Sequence, residues 1–205
     1  MFLRLFLALF FATLLTAPAF SHFPGPPKRT EAGRKVVKTN VPDFTLTDQD
    51  GRSFRFANLR GKVVLVTFIF TTCPDLCPLL TAKLTHIQQQ LEAEKQTGYF
   101  LLSITTDPDT DKPVVLKSYG GSYRADLRSW AFLTGDKKNL SKVWDAFGVK
   151  VKRLSNGQIQ HTGLTTLIDR DGMQRINYYG DTWQEKEVLK DIAMLAAGGS
   201  TDSPP

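Results

Sequence analysis

Hydrophobic and polar residues along the chain follow patterns that change repeatedly between those of strands and those of helices. Val63 to Phe70 is a strongly hydrophobic run of mostly β-branched and aromatic residues, which is typical of a central strand buried on both faces. Beyond it, apolar residues recur at intervals of four, three and four positions, as on one face of a helix. These residues are Leu80, Leu84, Ile87 and Leu91. The pattern therefore predicts a strand followed closely by a helix.

The rest of the chain continues this alternation of strands and helices. Alternating apolar residues on either side of an Asp-Gly turn predict a β-hairpin over Asp43–Phe56. Further predicted strands are Tyr99–Thr105, Trp130–Leu133, Gly163–Ile168 and Gln174–Tyr179, and further predicted helices are Lys112–Tyr119, Leu140–Phe147 and Trp183–Leu195. This order predicts an α/β fold with a mixed central sheet, helices on both faces and an N-terminal β-hairpin.

The N-terminal residues have the features of an export signal. Arg4 supplies positive charge, Leu5 to Leu15 is apolar, and Ala17-Pro18-Ala19 offers small residues for cleavage. The apolar segment is shorter than the roughly 20 residues that span a membrane, so we expect cleavage of residues 1–21, with an uncleaved anchor as the alternative. Export predicts a periplasmic location or attachment to the outer face of the inner membrane.

The predicted signal is followed by three regions of different composition. Prolines and basic residues predict a flexible leader over residues 22–40, which carries the charge needed to approach an anionic membrane surface. Residues 41–195 form one predicted domain, and residues 196–205 are small and polar, as in a disordered tail. The net charge of the 205-residue chain is +6, but no basic pattern interleaved with aromatic residues indicates nucleic-acid binding.

Both cysteines of the chain lie just after the predicted central strand, in Thr72-Cys73-Pro74-Asp75-Leu76-Cys77-Pro78. A domain of this size has a full hydrophobic core, so its cysteines indicate chemistry more than scaffolding, with a plain structural disulfide as the alternative. Proline after each cysteine disfavours helical backbone there, which predicts a helix that begins at Pro78 with Cys77 as its cap. A helix N-terminus favours thiolates, as a redox pair or a soft-metal site requires.

A two-sulfur metal site needs a further ligand, and the three histidines are the candidates. His22 lies at the border of the predicted signal peptide, and His86 lies on the long predicted helix more than two turns beyond Cys77. His161 instead precedes the apolar strand that begins at Gly163, at a junction where loops carry side chains over the end of a sheet. His161 is therefore the candidate third ligand, with an ordinary exposed loop histidine as the alternative.

Three segments of the chain together resemble the SCO/SenC family of copper-binding proteins over about residues 41–195. They are Phe68–Pro78, Thr106–Pro113 and His161–Asp169. The resemblance implies a thioredoxin-like fold, copper bound by Cys73, Cys77 and His161, and a role in assembling the dinuclear copper centre of cytochrome c oxidase. It also implies that Asp107 lies close to the site, where it would support the ligands or dock a partner.

Two thiolates and an imidazole suit three-coordinate Cu(I) and can also hold Cu(II), whereas structural zinc usually takes four protein ligands. The leading hypothesis is an exported copper metallochaperone, rather than an enzyme, that delivers copper to an oxidase subunit. A copper donor protein or a thiol reductant would be its other partners. The alternative is a thiol-disulfide oxidoreductase that reduces a copper-receiving protein, with Cys73 and Cys77 as a redox pair that forms a disulfide when oxidised. A peroxiredoxin-like peroxidase is a third, less favoured hypothesis.

Overall fold

The computed structural model describes residues 33–199, which are built around a six-stranded mixed sheet. The strands of the described region are Gly33–Asn40 (β1), Thr45–Thr47 (β2), Ser53–Arg55 (β3), Val63–Ile69 (β4), Tyr99–Thr105 (β5), Trp130–Leu133 (β6), Val151–Arg153 (β7), Ile159–His161 (β8), Leu164–Ile168 (β9) and Met173–Tyr179 (β10). The helices are Leu76–Ala93 (α1), Pro113–Ser122 (α2), Lys137–Ala146 (α3) and Glu185–Ala196 (α4), with a short 3-10 helix at Phe56–Leu59.

The main sheet has the order β1-β10-β9-β4-β5-β6. Its β4, β5 and β6 are parallel, while β9 pairs antiparallel with both β4 and β10, and β10 pairs antiparallel with β1. Two hairpins lie outside this sheet, one made of β2 and β3 and the other of β7 and β8. The predicted α/β class, mixed sheet and N-terminal hairpin are thus confirmed.

Strand β4 organises the core because it is buried along its whole length. Val63, Leu65 and Ile69 belong to an apolar cluster that includes residues of α1 and α4. Val64, Val66 and Phe68 belong to a second cluster that includes residues of α3 and of the β2–β3 hairpin. Because successive side chains of a strand point to opposite faces, one apolar run supplies both layers and holds helices on each side of the sheet.

The prediction of a flexible leader over residues 22–40 is wrong for residues 33–40, which form β1. This strand has mostly exposed side chains, so it lacks the hydrophobic alternation that would reveal it in the sequence. Its backbone pairs with β10, and the Arg34 guanidinium bonds both carboxylate oxygens of Asp191 on α4, at 2.7 and 3.0 Å. The predicted signal peptide and residues 22–32 lie outside the described residues.

Two other predicted boundaries also need correction. Helix α1 begins at Leu76 rather than Pro78, because a proline in the first helical turn lacks only an N–H that would have no partner there. Residues 196–199 of the predicted disordered tail are ordered, since α4 ends at Ala196 and the Gly198 and Gly199 amides bond carbonyls of its last turn. Residues 200–205 lie outside the described region. Within residues 33–199, no helix has the length and apolar character needed to cross a membrane.

We expect Asp191→Asn to lower the free energy of unfolding by about 2 kcal/mol, because it removes a charged acceptor from a largely buried group of hydrogen bonds. The Asp191 carboxylate accepts from Arg34 and from the Tyr178 hydroxyl, at 2.5 Å, so the substitution weakens the attachment of β1 as well as of α4. Urea unfolding measures the loss. The exposed, local pair Arg128–Asp126 provides the control, and an equal loss in Arg128→Met would contradict the prediction.

Candidate metal centre

The cysteine loop leaves the sheet at the carboxyl end of β4, beside the end of the parallel strand β5. The Cys73 amide donates a hydrogen bond to the Phe70 carbonyl at 3.1 Å, which turns the chain sharply after the strand. The Thr71 amide and hydroxyl donate to the Asp111 carboxylate, at 3.2 and 2.5 Å. The loop is therefore fixed to the segment that precedes α2, and not only to its own strand.

Asp111 is a supporting residue that the sequence interpretation did not select. Its carboxylate is fully buried and also accepts from the Thr105 hydroxyl at 2.5 Å. Burial raises the pKa of Asp111, while the hydrogen bonds from Thr105 and Thr71 oppose that shift. Two signals in the sequence could have found it: its place in the family-like segment Thr106–Pro113, and its spacing of four residues from Asp107, which is also typical of a helix-capping loop.

Both sulfurs lie at the N-terminus of α1, although the two thiols have different environments. Cys77 occupies the first turn of the helix and is 0% exposed, whereas Cys73 lies in the loop and is half-buried. The Cys77 amide donates to the Cys73 sulfur at 3.4 Å, so an otherwise unpaired N–H of the helix start is directed at that sulfur. Neither cysteine is in a disulfide, and the pair is available for a metal or for oxidation.

The expectation that the helix N-terminus favours a thiolate at both cysteines is wrong for Cys77. Burial raises the pKa of Cys77 strongly, and the opposing hydrogen bond from the Phe70 backbone is too weak to reverse the shift. The nearby Cys73 sulfur raises it further. Cys77 is therefore a neutral thiol at neutral pH in the metal-free protein, and a metal must displace its proton in order to bind.

His161 comes from the last position of β8 and reaches the same place from a different part of the fold. Its Nδ1 lies 2.9 Å from the Thr162 carbonyl oxygen, and because a carbonyl only accepts, Nδ1 must carry the hydrogen. The lone pair is thereby assigned to Nε2, which lies 4.0 Å from the Cys77 sulfur. The imidazole is held in the tautomer whose free nitrogen faces the thiol.

The surroundings of His161 keep its ring neutral. Burial lowers the pKa of His161, and the hydrogen bond with the Thr162 carbonyl opposes this effect only in part. The Phe70 ring packs edge-on against the imidazole, with centroids 5.8 Å apart and an interplanar angle of 80°. A neutral, oriented imidazole is the form that binds a metal.

The predicted ligands Cys73, Cys77 and His161 lie near one another but are not arranged to coordinate a metal. Among residues 33–199, no three histidine, cysteine or acidic side chains are close enough together to hold a metal ion as they stand. A metal bound by Cys73, Cys77 and His161 would therefore require these three side chains to come closer together. His86 lies on exposed helix surface with Nδ1 3.8 Å from Glu185, and His22 lies outside the described residues.

Asp107, the other predicted site residue, is ion-paired with Arg153 of β7. It lies two residues beyond the end of β5, its amide donates to the Thr105 hydroxyl at 2.8 Å, and its side chain is 4% exposed. A carboxylate that is buried in this way offers little surface to an incoming protein. Its position is better suited to supporting the hairpin that carries His161 than to docking a partner.

A thioredoxin-like sheet with two thiols at a helix start and a neutral imidazole beside them defines a class of thiol proteins suited to binding soft metals. Residues 33–197 match the SCO1/SenC family, so this chain belongs to that family. An SCO2-like protein of Rickettsia typhi is 33% identical over 174 residues, which cover 80% of this chain and 83% of the relative.

Solved structures agree with the family assignment and with the thioredoxin-like fold. A SCO1/SenC family lipoprotein from Bacillus anthracis superposes with a TM-score of 0.74 and 31% identity, over 79% of this chain and 98% of that one. BsSco is described as having a disulfide switch and as a member of a family of cytochrome c oxidase assembly proteins. It superposes with a TM-score of 0.70 and 29% identity, over 80% of this chain and 96% of that one. Copper-bound yeast Sco1 superposes with a TM-score of 0.67 and 27% identity, over 80% of this chain and 92% of that one.

We expect Cys73 to be alkylated at least about tenfold faster than Cys77 in the reduced protein at neutral pH. Cys77 is fully buried, and each unit by which its pKa is raised lowers its thiolate fraction about tenfold, so little of the reactive form is present. Timed iodoacetamide labelling followed by peptide mass spectrometry measures both rates. Equal rates in the folded protein would contradict the burial of Cys77, and a urea-unfolded sample supplies the control in which the difference should vanish.

Proposed function

We propose that this protein is a copper metallochaperone that binds one copper ion through Cys73, Cys77 and His161. The observation that carries the proposal is the Nε2 of His161, which faces the Cys77 sulfur at 4.0 Å with its lone pair assigned by the Thr162 carbonyl. Two soft sulfur donors and a neutral imidazole form a donor set that suits Cu(I) and can accommodate Cu(II).

The acceptor that we propose is the dinuclear copper centre of cytochrome c oxidase, loaded during assembly of the oxidase. Membership of the SCO1/SenC family supports this role, as do the likeness to BsSco, from a family of oxidase assembly proteins, and to yeast Sco1 with copper bound. Three ligands leave copper incompletely coordinated, so a ligand from an acceptor subunit can attack before every original bond has broken. Half-buried Cys73 is more accessible to such an exchange than the fully buried Cys77.

The proposed location follows the predicted export signal: the periplasm, or the outer face of the inner membrane. The description of the Bacillus anthracis relative as a lipoprotein supports an exported protein held at a membrane. A copper donor protein and a thiol reductant remain the other proposed partners, because both cysteines must be reduced before copper can bind.

Thiol-disulfide exchange is a second candidate function, favoured by one specific contact. The Cys77 amide reaches the Cys73 sulfur at 3.4 Å, so the two cysteines are neighbours. Half-buried Cys73 can form a mixed disulfide that buried Cys77 resolves. The disulfide switch identified in BsSco supports redox activity of such a pair. Attack by Cys73 would break the disulfide of the partner, and Cys77 would then release the reduced partner as the Cys73–Cys77 disulfide forms.

Reduced wild-type protein is expected to bind one Cu(I) per chain, whereas Cys73→Ser, Cys77→Ser and His161→Ala should each bind it much more weakly. Loss of a direct ligand should cost more than the roughly 10- to 100-fold that loss of a supporting partner costs. Anaerobic titration against a chromophoric Cu(I) chelator measures the affinities.

His86→Ala provides a matched control for that titration, because His86 is an exposed histidine of α1 whose Nδ1 lies beside Glu185. It should retain wild-type affinity. If His161→Ala also retained wild-type affinity, the three-ligand assignment would be overturned, and weak binding by the wild type itself would overturn the metallochaperone proposal.

We expect His161→Ala to spare thiol-disulfide exchange while it weakens copper binding. Exchange needs the two sulfurs and an attacking thiolate but no imidazole ligand, so its rate should stay within about threefold of wild type, a factor worth less than 1 kcal/mol of barrier. Reduction of a small disulfide substrate, followed by stopped-flow, measures the rate. Parallel loss of exchange and copper binding in this variant would show that the imidazole serves both activities.

A further inference from the structure

The cysteine loop and the His161 hairpin are separate parts of the fold. The hairpin of β7 and β8 forms its own two-stranded sheet outside the six-stranded one. Its base is closed by hydrogen bonds between Lys150 and Thr162, each 3.0 Å long, which join the hairpin to itself and not to the sheet. The distance between the imidazole and the sulfurs therefore depends on whatever attaches this hairpin to the rest of the protein.

A chain of hydrogen bonds begins at the cysteine loop, where it is part-buried, and continues in buried surroundings along the end of β5. The Thr71 hydroxyl donates to the Asp111 carboxylate, which also accepts from the Thr105 hydroxyl. The Thr105 oxygen in turn accepts from the Asp107 amide at 2.8 Å. In each of these bonds an O–H or N–H donates to an oxygen that accepts. The end of β5 therefore holds the cysteine loop and Asp107 in one hydrogen-bonded network.

Arg153 extends this chain to the hairpin. Its Nη2 donates to the Asp107 carboxylate and lies 3.4 Å from the Asp109 carboxylate, while its Nη1 donates to the Gly157 carbonyl at 3.2 Å. One guanidinium thus binds the turn of the hairpin on one side and the end of β5 on the other. The hairpin also has apolar attachments, because Ile159 packs against one core cluster and Val151 packs against the other.

We propose that Arg153 is a positioning residue that sets the distance between His161 and the two cysteines by tethering the hairpin to Asp107. This inference rests on the proposed function, because the imidazole matters as a copper ligand. Arg153 touches no ligand and acts only through the hairpin that carries His161.

The ion pair of Arg153 and Asp107 differs from an ordinary surface salt bridge because Asp107 is buried. The Arg153 side chain is 42% exposed. If its partner were exposed as well, the ion pair would contribute almost nothing to stability. The Asp107 side chain is only 4% exposed, so removal of Arg153 leaves a buried carboxylate without its counter-charge. We expect the hairpin, which lacks main-sheet pairing, to shift or open in response.

The test compares Arg153→Met with Arg153→Lys, which retains the charge but not the paired geometry of the guanidinium. Lys152→Met is the matched control, because Lys152 is an exposed neighbour on the same strand. Cu(I) affinity of the full, reduced chain is measured by chelator competition. We expect Arg153→Met to bind roughly 10- to 100-fold more weakly, the range for loss of a supporting partner, with partial recovery in Arg153→Lys and no change in Lys152→Met.

A double-variant cycle distinguishes positioning of His161 from general destabilisation. If Arg153 acts through the imidazole, adding Arg153→Met to His161→Ala should weaken copper binding no further. Additive losses in the double variant, or wild-type affinity in Arg153→Met alone, would overturn the proposal.

A metal-free measurement keeps this inference separable from the proposed function. Amide hydrogen exchange at residues 159–162 should accelerate at least about tenfold in Arg153→Met, while exchange in β4 stays at the wild-type rate. If the wild type bound no copper, the metallochaperone proposal would fail, and this exchange experiment would still decide whether Arg153 holds the hairpin. Unchanged exchange in the hairpin would reject the tether whatever the copper result.

Discussion

The burial of β4 on both faces is the constraint on which the rest of the structure depends. Both faces of β4 are covered, so the chain leaves this strand at the end of the sheet, where the cysteine loop begins. Backbone groups that leave a sheet need new partners, and the Thr71 amide finds one in the Asp111 carboxylate. The same burial brings α1 onto the sheet, so both sulfurs lie where the strand ends and the helix begins.

Desolvation then determines the chemical state of the donors. It raises the pKa of Cys77 and lowers the pKa of His161, so both groups are neutral when the metal is absent. The Cys77 sulfur becomes a thiolate only when its proton is lost. A soft metal cation that binds this sulfur would displace the proton. Cys77 and His161 therefore stay uncharged in the metal-free protein.

The two halves of the site are brought together by noncovalent contacts rather than by sequence proximity. Cys73 and Cys77 share one strand-to-helix connection, whereas His161 arrives on a hairpin that lies outside the main sheet. The halves touch directly where His161 contacts Phe70 and Cys77, and Arg153 joins the hairpin to Asp107 beyond the end of β5. Ligands that come from two separate elements suit a protein whose proposed task requires both capture and release.

The sequence by itself determined the elements whose signals are local. The apolar run of β4, the spacing along α1 and the residues of the cysteine loop are readable from neighbouring positions, and the family resemblance singled out His161. Tertiary structure alone decided that residues 33–40 form a strand, that Cys77 is buried and that Asp107 pairs with Arg153. Those features arise from contacts between residues far apart in the chain, and because β1 is exposed and polar, it has no hydrophobic period that would reveal its pairing with β10.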